Sequence, residues 1–298
     1  MENRRRDLLI VTIVYIIAII IGAFLYFLLD NLSPILRLLI ADLGAMVFIY
    51  LLSLLLKNAS LYDAYWSVIP IAFLVIAFIG SNASLNVTYF MFLFAISFWA
   101  IRLTINWAKG WNGFGHVDWR YLMIKDKSPK LYFLTNFLAI QLLPTLIVFP
   151  QILVGLKIIE LGVDLNLLFI IGFLMIITAT VIQYVADEQM RAFRTNQDNK
   201  GKCIDEGLWK YSRHPNYFGE IMVWWGLYIM YISKVRQLDL YILAPIAMTL
   251  LFLFISIPKM ERKILKTRPQ YKEYQKKVSM LIPFIRKEDK EIKVQDTN

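Results

Sequence analysis

Eight apolar runs follow one another along this chain, most of them long enough to cross a bilayer, and that succession decides the solvent in which it folds. A hydrocarbon core is roughly 30 Å thick and a helix rises about 1.5 Å per residue, so about 20 apolar residues span it. The runs read as residues 8–29, 35–56, 66–80, 87–107, 131–154, 165–186, 218–232 and 240–257, the third and seventh being short. A spanning segment must satisfy its own backbone, which requires helices here because the alternation of a β-barrel is absent. With 58% hydrophobic residues and a mean hydropathy of +0.56, the chain exceeds what a water-soluble globule covers. The expected fold is all-α, a polytopic membrane bundle of about eight transmembrane helices. It forms a single domain over residues 1–285, followed by a polar cytoplasmic tail, 286–298, whose last stretch is expected to be disordered.

Charge orients the bundle. Of the 32 Lys and Arg, all but Arg37, Arg102, Lys157, Lys234 and Arg236 fall in the N-terminus, alternate connections and the C-terminal segment. The positive-inside rule therefore makes both termini cytoplasmic, in agreement with an even helix count. The segment from Lys259 onward holds 12 Lys and Arg against 6 Asp and Glu. Such an excess suits anionic headgroups, so the lipid bilayer is the partner implied and nucleic acid is not. One cysteine, Cys203, and two distant histidines, His116 and His214, leave little material for a disulfide or a metal site.

Polar residues gather on the same cytoplasmic side. Past the sixth run, Asp187, Arg191 and Arg194 lie at i, i+4 and i+7, one face of a helix prolonged out of the bilayer. Two arginines so placed can clamp phosphate oxygens, and Asp187 can accept from a ribose hydroxyl. An interfacial ion-pair network uses the same spacing. Lys200 and Lys202 follow, and Pro215 suits the first turn of the next helix, leaving His214 or Asn216 near an N-terminus that favours anions. Tyr217, Glu220, Trp224 and Tyr228 then share a face. A carboxyl so close to hydrocarbon is costly without a partner, which makes Glu220 a functional candidate. Asp63-Ala-Tyr-Trp66, Arg102 with Asn106, and the loop from Trp111 to Tyr121 face the same side. The stretch Glu261 to Phe284 reads as helix, turn and helix across the membrane face, an anchor or a lid.

The segment Gly207-Leu-Trp-Lys-Tyr-Ser-Arg-His-Pro-Asn-Tyr-Phe-Gly-Glu220 resembles the C-terminal signature of the steroid 5α-reductase superfamily, in particular its branch DUF1295. Asp63-Ala-Tyr-Trp66 and His116-Val-Asp-Trp-Arg-Tyr121 are similar to motifs of that branch, so the likeness runs from about residue 61 to 285. The resemblance implies a membrane-embedded reductase in which NADPH enters from the cytoplasm and passes hydride to a conjugated carbon-carbon double bond. By position it implies cofactor contacts at Asp187, Arg194, Asn216 and Glu220, with Arg191, Lys202, Tyr211, Arg213, His214 and Tyr217 beside them. The catalytic acid roles go to Tyr65, Asp63 and Tyr121, with Glu220 a further candidate.

Arg213-His214-Pro215 and the stretch Glu261 to Tyr274 also resemble the isoprenylcysteine carboxyl methyltransferase family, which uses S-adenosylmethionine. That cofactor has no phosphate and carries a positive sulfonium, so the basic residues at 191–202 favour NADPH. The leading expectation is an oxidoreductase acting on a lipophilic substrate, steroid-like, isoprenoid or fatty. Methyl transfer to a lipid-linked acceptor and a non-catalytic lipid-binding membrane protein are the alternatives.

Overall fold

The computed structural model describes residues 2–286, so the predicted tail lies, apart from Arg286, outside the described residues. Helices α1 (Glu2–Leu28), α2 (Pro34–Leu55), α3 (Tyr65–Ile79) and α4 (Val87–Gly110) follow the first four runs. After the short α5 (Trp119–Lys127) come α6 (Pro129–Leu161), α7 (Leu167–Thr195), α8 (Pro215–Val235), α9 (Leu240–Thr267) and α10 (Tyr271–Lys277). Among the described residues there is no strand, only an isolated bridge between Ser212 and Ser279.

The chain is all-helical and multi-pass, with seven stretches long and apolar enough to span, one fewer than the eight expected. The seventh run does form a helix, α8, but it is not among the seven stretches. Its first turns carry Asn216, Tyr217 and Glu220, and Trp and Tyr replace the aliphatic residues that fill the other spans. Helix α7 continues to Thr195, carrying Asp187, Arg191 and Arg194 on the same helix as the apolar span, and Pro215 opens α8.

Contacts divide the chain into two compact units. The first comprises Met1–Phe173 and Leu227–Ala244, the second Leu174–Gly226 and the described part of Pro245–Asn298. Between helices in lipid, close packing replaces the hydrophobic drive, so seams favour small residues. In the first unit Ala18, Ala41, Ala45 and Ala95 are wholly buried, while Ile20 and Phe24 of α1 point outward.

Proline shapes α6 and α9. It donates no amide hydrogen and its ring displaces the carbonyl one turn earlier. Wide π-helical turns, Asn136–Leu142 and Leu251–Ser256, lie directly before Pro144 and Pro258. The first turns Asn136 and Gln141 inward, where Gln141 Nε2 donates to Ser53 Oγ on α2 at 3.0 Å and Asn136 Nδ2 at 3.3 Å.

The first of the three N-terminal arginines has a local use as well. Arg4 donates to the carbonyls of Ala108 at 2.6 Å and Trp111 at 2.7 Å, satisfying orphan acceptors where α4 ends. Asp7, buried on the same helix, accepts from Phe114 N at 3.0 Å. The loop passes Asp7 through Gly113 at φ +88°, and a Cβ there would come within 2.7 Å of Asp7 Oδ2.

In the second unit α7 and α8 meet at Gly219, where a Cβ would stand 2.7 Å from the carbonyl oxygen of Ala179 and 2.5 Å from Gln183 Cγ. Backbone cannot yield as a side chain can, so Gly219→Ala should cost about 1–3 kcal/mol by overpacking. Purified in detergent, that variant should melt several degrees below the wild type; an unchanged melting temperature would contradict this packing.

Candidate functional site

Each unit carries its own polar centre. In the first, a narrow cleft is lined by Asp42 of α2, Tyr62 of the preceding turn, Tyr65, Trp66, Ile69 and Pro70 of α3, and Thr145, Val148 and Ile152 of α6. Asp42, Tyr62, Tyr65 and Thr145 are all buried. Tyr65 Oη lies 2.7 Å from both Oδ1 and the backbone carbonyl of Asp42, so its one hydrogen is shared between them. Tyr62 stacks on Tyr65 with ring centres 4.9 Å apart, and its hydroxyl is 2.7 Å from Thr145 Oγ1. A carboxyl and three hydroxyls thus converge between apolar side chains, in a space too tight for a water molecule.

Asp42 is the residue the sequence reading missed. Its signal was present: one acidic residue in the middle of an apolar run is expensive in hydrocarbon and marks function more often than it marks packing. Of the residues that were expected, Tyr65 belongs to the cleft, whereas Asp63 and Tyr121 form a separate cluster in the same unit. Tyr121 donates to Asp63 Oδ1, and Arg120 lies 3.7 Å from that oxygen while also gripping Asp118 at 2.8 Å. Burial, and then the negative charge of Asp63, raise the Tyr121 phenol well above its ordinary range. Asn58 Nδ2 donates to the carbonyls of Phe114 and His116, and Asp118 N donates to Ser60 Oγ, so the polar loop is fastened over the turn before α3.

The second centre is the Gly207 to Glu220 segment with its neighbours. Asn216 Nδ2 donates to Asp187 Oδ1 at 3.1 Å, bringing together the two residues expected from separate helices. Glu220 is buried and accepts from Gln183 Nε2 at 3.0 Å and Trp224 Nε1 at 3.1 Å. Gln183 Oε1, also buried, has no hydrogen-bond partner. Arg191 pairs with Glu188 at 2.7 Å, and Arg194, Lys200 and Lys202 are exposed.

Arg213 and His214 are held differently from the expectation of cofactor contacts. Arg213 Nε donates to Glu261 Oε1 at 2.7 Å and Nη1 donates to the carbonyls of Gln275 and Val278. His214 Nε2 lies 3.1 Å from the same carboxylate oxygen, Tyr271 donates to it at 3.1 Å, and Gln275 donates to Oε2 at 2.7 Å. Tyr211, exposed, uses its carbonyl to accept from Phe284 N at 2.9 Å. Tyr217 stacks on His214. Burial, reinforced by the Glu261 charge, raises the Tyr271 phenol. The end of α9, the turn after it and α10 therefore strap down the start of α8 through one carboxylate.

The residues fit a phosphate-bearing dinucleotide on three counts. Arg194, Lys200 and Lys202 supply cations to solvent, the Asp187–Asn216 pair offers an acceptor and an amide for sugar hydroxyls, and Gln183 Oε1 is a buried acceptor awaiting an N–H donor.

The apolar helices define a multi-pass membrane protein, and comparison with known proteins places the chain in a family. The model for the family described as "Protein of unknown function (DUF1295)" matches residues 49–278, and the chain belongs to that family. An uncharacterized protein of Schizosaccharomyces pombe is 26% identical over 257 residues, covering 76% of this chain and 73% of that protein. No solved structure matches.

Glu261→Gln should release the strap. Leaving Arg213, half-buried, without its counter-charge costs up to about 3–5 kcal/mol, and hydrogen exchange should quicken across residues 207–216 and 268–281. Glu273→Gln, at an exposed pair with Lys276, should leave both segments protected. Equal exchange in the two variants would remove Glu261 from its role.

Proposed function

We propose that this protein is a membrane-embedded, NADPH-dependent reductase of a conjugated carbon-carbon double bond in a lipophilic substrate, and that its likeness to the steroid 5α-reductase superfamily reflects shared chemistry. The observation that carries the reading is the Asp42–Tyr65 pair, a carboxyl backing a phenol inside an otherwise apolar cleft. Both termini and the nucleotide-facing residues would lie toward the cytoplasm, as the distribution of Lys and Arg favours.

NADPH, when bound, supplies hydride to the β-carbon of an enone. The chain's own residues do the rest. Arg194, Lys200 and Lys202 would hold its phosphates, the Asp187–Asn216 pair would orient a sugar, and Glu220 with Gln183 would meet a carboxamide. Tyr65 turns its hydroxyl from the Asp42 carbonyl to the substrate carbonyl and donates to the oxygen on which charge develops. Asp42 holds that phenol in place. The walls made by Trp66, Ile69, Pro70, Val148 and Ile152 exclude water and would have to part to accept the hydrocarbon. Asp63 and Tyr121, bonded to each other in a separate cluster, position the loop that fastens over α3 in this reading.

Thermal shift of the detergent-solubilised protein with NADPH, NADH and S-adenosylmethionine tests the cofactor, and loss of absorbance at the reduced-nicotinamide band with a panel of enones tests the reaction. Stabilisation by NADPH alone is expected, weakened by Asn216→Ala. Tyr65→Phe and Asp42→Asn should keep NADPH binding and lose about 10²–10⁴ of the turnover. Stabilisation by S-adenosylmethionine would move the assignment to methyl transfer, and silence from all three would favour a lipid-binding role without catalysis.

A further inference from the structure

Past α10 an apolar surface stands outside every spanning helix. Residues 278–286 are not helical, and Ile282, Phe284 and Ile285 among them are 63%, 56% and 51% exposed. The segment is nevertheless fixed in place. Arg213 N donates to the Ser279 carbonyl at 2.8 Å, Ser212 Oγ to that of Leu281 at 2.7 Å, and Phe284 N to that of Tyr211 at 2.9 Å. Behind it Tyr271, Tyr274 and Val278 pack together with Ile264 and Leu265. The three exposed side chains therefore project from a bonded frame shared with residues 211–213, beside Tyr211, which is exposed too.

Where such a segment lies follows from what it does not tolerate. Water penalises a cluster of large apolar side chains. The hydrocarbon core excludes irregular backbone that faces lipid. The headgroup layer suits both, since apolar and aromatic side chains reach the first methylenes from it while the backbone stays hydrated. The charge agrees. From Ile257 to Arg286 there are nine Lys and Arg against two carboxylates, of which Glu261 is engaged inside the strap and Glu273 pairs with Lys276. Arg262, Lys266, Lys272 and Lys276 are exposed.

We propose that residues 282–285 are a wedge seated in the headgroup layer of an anionic membrane, held there by the Lys and Arg of the strap that precedes it. Because the wedge is bonded to residues 211–213, and Arg213 to Glu261, seating it also steadies the start of α8. The negative charge of the membrane surface thereby tightens that end of the second unit. The contact involves no cofactor or substrate and stands apart from the reductase reading.

The full chain is reconstituted in nanodiscs of phosphatidylcholine, alone or mixed in equal parts with phosphatidylglycerol. Cys203→Ser removes the one native thiol, and Ile285→Cys then carries an environment-sensitive fluorophore. Its emission should shift to shorter wavelength and be quenched by lipid spin-labelled near the headgroup, more so in the anionic discs. Lys272→Gln together with Lys276→Gln should shrink that difference. In the unmodified chain, hydrogen exchange across residues 207–216 and 279–285 should slow about fivefold or more in the anionic discs, the gain of roughly one lysine at a charged surface. Water-like emission from the probe overturns the proposal, as does equal quenching or equal exchange in the two discs, or a difference undiminished by the two substitutions. Short-wavelength emission that spin-labelled lipid leaves unquenched also overturns it, because protein, such as a second copy of this chain, would then cover the face.

Discussion

A polar group in hydrocarbon has to find its partner within the protein, and most of what is distinctive in this chain follows from that requirement. The backbone meets it by coiling, which is why the described residues are helices joined by short connections. Where coiling stops, side chains finish the task. Arg4 supplies hydrogens to carbonyls left open where α4 ends, and Asp7 accepts an amide of the loop beyond. Arg4, part of the basic N-terminus on which the expected orientation rests, thus also acts as a helix cap, so charge bias and local bonding coincide at one place.

The buried carboxyls show three ways of meeting the requirement. Glu261 is neutralised by Arg213 with help from His214, Tyr271 and Gln275, an arrangement in which cations and donors all converge and little capacity is left for a ligand. Glu220 accepts from two neutral donors, Gln183 and Trp224, and Gln183 keeps an acceptor in reserve. Asp42 has a single phenol beside it, and that phenol is shared with a backbone carbonyl. Glu261, held by four side chains, is scaffold in the proposed reading, which assigns its chemistry to Asp42 and Glu220.

The fold was legible because run length and apolarity are properties of sequence alone, and the capacity of α7 to continue past the bilayer could be read from the periodicity of Asp187, Arg191 and Arg194. The seventh run was harder, since its aromatic content makes α8 less apolar than a typical span although it is just as helical. Site residues were legible where both partners sat in recognisable motifs, as with Asn216 and Asp187. They were not where one partner was plain. Asp42 belongs to no motif and stands 23 residues from the tyrosine it bonds, and Glu261 reaches Arg213 across 48 residues. Sequence spacing within a helix says which residues share a face; it says nothing of which face another helix brings against it.

That separation also explains why the sequence resembles two enzyme families with different cofactors. The features pointing to methyl transfer are Arg213-His214-Pro215 and the stretch from Glu261 to Tyr274, and in the structure these bond to one another. A strap that fixes the start of α8 serves any cofactor seated against that helix, so the residues composing it carry no preference between a phosphate and a sulfonium. Preference has to come from side chains the strap does not engage. Arg194, Lys200 and Lys202 stand outside it and bear the positive charge that a dinucleotide phosphate would use and a sulfonium would oppose. The shared motif therefore identifies the architecture, and the unshared cations carry the argument for NADPH.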